Sequence, residues 1–137
     1  MSKLFFLGAG KMATAIAGGL IKAGTFQADE LLAFDVNPKA AEAFQNATGI
    51  RCVTADCKAA AAGAETVLLA VKPQMLADAA APLRSEADNR LFLSIVAGVS
   101  IDRLTELTGS ERIVRIMPNT PMLVGRGAAG FSAGPKA

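Results

Sequence analysis

Gly8-Ala9-Gly10-Lys11-Met12-Ala13 follows the apolar run Leu4-Phe5-Phe6-Leu7 and leads directly into a segment with helical periodicity. A glycine turn in that place fixes a strand–turn–helix unit, which constrains the fold more than any average property of the chain. The first glycine permits the tight turn, the second lets a pyrophosphate approach the backbone, and the small Ala13 lets helix and strand pack closely. The first N–H groups of the helix have no partner within it, and its dipole is positive there, so the turn suits an anion. A glycine turn can also be purely structural. Here it stands inside a strand–helix–strand unit with an acid, Asp35, at the end of the second strand, which favours dinucleotide binding.

The rest of the chain repeats that alternation. The first strand covers Lys3 to Leu7, and Met12, Ala15, Ile16, Gly19, Leu20 and Ala23 recur at helical spacing, with Gly24 as a stop signal. Leu31 to Phe34 is a second strand, and Asp35-Val36-Asn37-Pro38 turns into a helix ending near Ala47. A third strand at Ile50–Val53 precedes an Ala-rich helix from about Asp56 to Ala62, and Thr66–Val71 is a fourth strand. Pro73 stands where it can open a helix reaching about Leu83. Leu91–Ile95 is a fifth strand, Ser100 caps a helix, and Arg112–Ile116 is a sixth strand. The glycine-rich tail has room for one or two edge strands. This pattern predicts an α/β domain over residues 1–137, a Rossmann-type doubly wound, mostly parallel sheet with helices on both faces.

Composition excludes several function classes. Hydrophobic residues make up 52% of the chain and charged residues 19%, and the net charge is only +2. No basic run or aromatic interleaving appears, so neither nucleic acid nor membrane is an expected partner. The apolar start is cut by the glycine turn after four residues, too early for a secretory signal, and a cytoplasmic protein is expected. With no His and no Tyr, the chain offers no His acid–base, no His metal site and no Tyr-Lys couple. Cys52 and Cys57 fit neither CxxC nor zinc spacing, so reduced thiols and no metal are expected.

Three further places can carry chemistry. Asp35 is placed either to accept hydrogen bonds from an adenosine ribose, favouring NADH, or to cap the following helix. Asn37 and Lys39 beside it suit a phosphate, so NADPH and NADH both stay open as the cofactor. Ala70-Val71-Lys72-Pro73 and Ser94-Ile95-Val96-Ala97-Gly98 end strands at the carboxyl edge, where open α/β sheets bind ligands. In Met117-Pro118-Asn119-Thr120-Pro121 two prolines lock the backbone around Asn119 and Thr120, which either hydrogen-bond a small polar substrate or merely shape a rigid loop.

Four stretches, Phe6–Met12, Leu69–Gln74, Ser94–Ser100 and Arg115–Pro121, together resemble the pyrroline-5-carboxylate reductase family in order and spacing. The resemblance implies hydride transfer from NADPH or NADH to the C=N carbon of 1-pyrroline-5-carboxylate, giving L-proline, the last step of proline biosynthesis. It implies cofactor contacts at Leu7, Gly8, Ala9, Gly10, Lys11 and Met12, at Asn37, at Ala70, Val71, Lys72 and Pro73, and at Ile95, Val96 and Ala97. Lys72, Asn119 and Thr120 are then the substrate-side candidates. Cys57 stands where the family often has Asn, and Val96 where Ala is usual, adding bulk beside the expected nicotinamide. The resemblance also implies a helical domain beyond these residues that forms a homodimer or larger homo-oligomer and supplies a substrate-binding threonine. Without it the chain is expected to bind cofactor with almost no turnover. Two other readings use the same fold: a β-hydroxyacid dehydrogenase-like or imine reductase relative, and a non-catalytic dinucleotide-sensing module. The VKPQ and MPNTP stretches argue against the first, and the lack of a basic DNA-reading helix argues against the second.

Overall fold

Leu4–Leu7, four buried residues in a row, form strand β1 at the centre of the sheet. A strand without polar alternation is one covered on both faces, as parallel strands are. In the computed structural model, which describes residues 3–84, 90–117 and 130–133, β1 pairs in parallel with β2 (Leu31–Phe34) and with β4 (Thr66–Leu69). β3 (Cys52–Val53) extends one side, and β5 (Leu91–Ser94) and β6 (Ile113–Met117) extend the other, all in parallel. β7 (Gly130–Ala133) closes the far edge antiparallel to β6. The order is β3-β2-β1-β4-β5-β6-β7. It is the expected doubly wound Rossmann arrangement, whose strand order reverses between β1 and β4.

Right-handed crossovers decide which face each helix covers. Moving outward from β1 to β3, the chain lays α1 (Lys11–Lys22) and α2 (Pro38–Thr48) on one face. There Ala13, Ala17, Ala41 and Phe44 pack on Leu4, Phe6, Ala33 and Leu68, and the Phe6 and Phe44 rings meet at 5.8 Å, tilted by 56°. Moving back, it lays α3 (Cys57–Ala61), α4 (Leu76–Ala80) and α5 (Ile101–Thr108) on the other. Cys57, Ala61, Leu76 and Leu104 pack there on Phe5, Leu7, Val67, Leu69, Phe92 and Ile113. A fully buried side chain of this size contributes about 1.5–3 kcal/mol, so the central strands hold the molecule together. No described helix is long and apolar enough to cross a membrane.

β3 and α4 are shorter than their patterns predict, for local reasons. Gly49 adopts φ +76°, and the Ile50 N–H donates to Thr48 Oγ1, so the turn claims Ile50 and β3 begins only at Cys52. Pro73 opens a 3-10 turn, Pro73–Met75, in which the Met75 N–H donates to the Lys72 carbonyl. The α-helix proper starts only at Leu76 and is one turn and a little more.

Candidate dinucleotide-binding site

The two glycines of the first turn differ in what holds them there. Gly8 is buried at φ +106°, and a Cβ on it would lie 2.7 Å from the Ala70 carbonyl oxygen. The fold itself therefore demands glycine at that position, because the ends of β1 and β4 touch. Gly10 is exposed, at φ −76° and ψ −168°, a conformation open to any residue, and a Cβ there would meet nothing within 4 Å. No atom of the described residues requires Gly10 to lack a side chain. The start of α1 that follows has no side-chain cap and no acid in its first turn. Its free N–H groups and dipole are thus open to an anion, and the residues present fit a pyrophosphate.

Asp35 does something neither expectation contained in full. Its Oδ2 accepts from the Ala9 N–H at 2.9 Å and its Oδ1 from the Asn37 N–H at 2.9 Å. The helix cap is Asn37 instead, whose side-chain oxygen accepts from the Lys39 N–H at 3.0 Å. Asp35 is therefore joined to the glycine turn, and Asn37 and Lys39 stay exposed at the mouth. Sequence reasoning missed the Ala9 bond because its signal is not local. It follows from the β1–β2 register, Leu7 opposite Phe34, which sets the turn after β1 beside the residue after β2.

The other expected contacts divide into rim and core. Lys11, Lys72, Pro73 and Ala97 are exposed, and Met12, Ala70, Val71 and Ile95 are half-buried around the same edge. Leu7 is fully buried beneath the turn, and its carbonyl accepts from the Ala70 N–H at 2.8 Å, so its side chain belongs to the core. Ala9 is buried too. Val96 corrects an expectation. Its side chain is 4% exposed and packed in the α3–α5 core, while its N–H donates to Ser94 Oγ at 3.2 Å. Its extra bulk goes inward, away from the open edge. Cys57 is likewise a core residue at the first position of α3; burial pushes its thiol up to about 11, so it is a neutral, enclosed group. Asn119 and Thr120, with both prolines around them, lie outside the described residues.

Comparison with known proteins agrees with this geometry. Residues 3–98 match the family described as NADP oxidoreductase, coenzyme F420-dependent. A pyrroline-5-carboxylate reductase of Haemophilus influenzae is 44% identical over 133 residues, covering 93% of this chain and 47% of its own. Among solved structures, a pyrroline-5-carboxylate reductase from Coxiella burnetii superposes with a TM-score of 0.86 at 31% identity, over 99% of this chain and 51% of that one. The Plasmodium falciparum pyrroline carboxylate reductase, solved with NADP bound, gives 0.84 at 28% identity, over 99% and 49%. The chain spans about half the length of the curated relatives it matches.

Proposed function

This chain belongs to the NADP oxidoreductase, coenzyme F420-dependent, family, and from that premise we propose that it is the cofactor-binding half of a pyrroline-5-carboxylate reductase. The observation that carries the cofactor assignment is Gly10 at the uncapped start of α1, a glycine for which neither a contact with the described residues nor a backbone angle gives a reason. A pyrophosphate over the α1 start gives one. NADPH or NADH, when bound, supplies the hydride. The chain's own residues bind and orient: the turn from Gly8 to Met12 holds the pyrophosphate through the N–H groups that follow Gly10, those of Gly8 and Ala9 being taken by the end of β2, and Asn37 and Lys39 border the adenosine end. The half-buried Ala70, Val71 and Ile95 and the exposed Lys72, Pro73 and Ala97 line the rim nearer the reacting ring.

Substrate recognition follows from the same reading. Lys72, together with Asn119 and Thr120, is the substrate-side candidate for 1-pyrroline-5-carboxylate, whose reduction gives L-proline. The enzyme is a cytoplasmic homo-oligomer assembled through a second, helical half, with neither nucleic acid nor membrane as partner. Positioning of the imine by that half is worth on the order of 7–11 kcal/mol of barrier. The test compares proline formation, with NADPH and with NADH, by the 137-residue chain and by a protein of the relatives' length that carries it. We expect turnover from the longer protein and almost none from this chain alone. A longer protein that oxidises 2- or 3-hydroxy acids and leaves the imine untouched would overturn the substrate assignment, and robust turnover by the short chain would overturn the division of labour.

A further inference from the structure

We infer that Asp35 is a positioning residue: its carboxylate ties the glycine turn after β1 to the turn after β2, and it does not choose between NADH and NADPH. The inference rests on the dinucleotide site proposed above. The end of β2 holds the glycine turn by two successive bonds. The Gly8 N–H donates to the Phe34 carbonyl at 2.8 Å, and the Ala9 N–H donates to Asp35 Oδ2 at 2.9 Å. Ala9 is buried, so its N–H depends on the carboxylate for a partner. The same carboxylate accepts from the Asn37 N–H, while the Asp35 N–H anchors to the Val53 carbonyl at 3.0 Å. One side chain thus sets two turns. The first aims Gly10 and the α1 N–H groups; the second sets Asn37 to cap α2. A carboxylate has lone pairs to spare, and a ribose hydroxyl can still reach it. It cannot swing towards a ligand without stranding the Ala9 N–H. Both oxygens are matched by N–H dipoles, which hold the carboxylate on the two turns and screen part of the field it would present to a 2′-phosphate.

A discriminating acid and a clamp predict different outcomes. Asp35→Ala and Asp35→Asn are titrated with NADPH and NADH, and amide hydrogen exchange is followed residue by residue in the unsubstituted chain and both variants. The clamp predicts that Asp35→Ala weakens both cofactors by about tenfold with their ratio unchanged, since both use the same turn. Asp35→Asn keeps one acceptor oxygen and loses less. Asp35→Ala speeds exchange at the Ala9 and Asn37 amides together and leaves the amides of β1 and β2 as protected as before, a pattern that a general loss of stability would not produce. A tenfold swing of the ratio towards NADPH would make Asp35 a specificity determinant and overturn the inference. So would Ala9 and Asn37 amides whose exchange Asp35→Ala leaves unchanged. If the unsubstituted chain binds neither cofactor, the dinucleotide site itself fails, and the exchange comparison alone still decides whether the clamp exists.

Discussion

At Gly8, a Cβ would press on the Ala70 carbonyl oxygen at 2.7 Å, with the backbone at φ +106°. Gly8→Ala must shift β1 against β4 in the centre of the sheet, and we expect a loss of about 2–4 kcal/mol of stability, read by chemical denaturation. A loss below half a kcal/mol would show that the strand ends do not touch as described. The two cysteines give a second check at this scale. Burial pushes Cys52 and Cys57 each up to about 11, from 9.0, so the fold keeps protonated two thiols that an unfolded chain would ionise. Their contribution to stability is intact below about pH 8.5 and falls as pH rises through about 11. At pH 8 a thiol reagent should label neither cysteine quickly in the folded chain and both after unfolding. Prompt labelling of the native protein would place them at the surface.

Elements are held by groups that the sequence pattern reveals unevenly. The alternation of apolar runs with helical spacing exposed β1, α1, β2 and their order, and Ser100 was legible as a cap; its Oγ accepts from the Arg103 N–H at 3.1 Å. Val96 could have been read from parity, since Phe92, Ser94 and Val96 alternate onto one face and all are buried. The Asp35–Ala9 bond could not, because strand register creates it. Nor was Arg90 legible, a buried cation ahead of β5 whose Nη2 donates to the Ala61 carbonyl at 2.7 Å and whose Nε donates to that of Ala64 at 3.2 Å. It closes the end of α3 at the sheet edge opposite the glycine turn. Arg90→Leu removes a donor from each of those carbonyls, leaving that of Ala61 with the Ala64 N–H alone, and we expect it to cost about 1–3 kcal/mol in denaturation while leaving cofactor affinity unchanged. A stable variant with impaired binding would place Arg90 in the site.

On the scale of the whole molecule, the two faces are finished differently. Three helices, from α3 on β2 to α5 on β6, cover one face, whereas on the other Leu93 and Ile116 stay partly buried beside Ile16, Leu20 and Phe26, around an apolar groove of about 260 Å³. The complete features gather at the carboxyl edge, where the strand order reverses between β1 and β4. There the turn that the fold demands at Gly8 stands next to the open space at Gly10, over the start of α1. The most direct test of the account is a titration of the 137-residue chain and its Gly10→Val variant with NADPH and NADH, with melting temperatures measured on the same samples. Valine accepts the backbone angles of Gly10 and its Cβ meets no atom of the described residues, so the variant should melt with its parent. It should nonetheless bind both cofactors at least about tenfold more weakly, about 1.4 kcal/mol, because its side chain fills the pyrophosphate's place. A parent chain that binds neither cofactor, or a variant that binds both as tightly as the parent, would contradict the account.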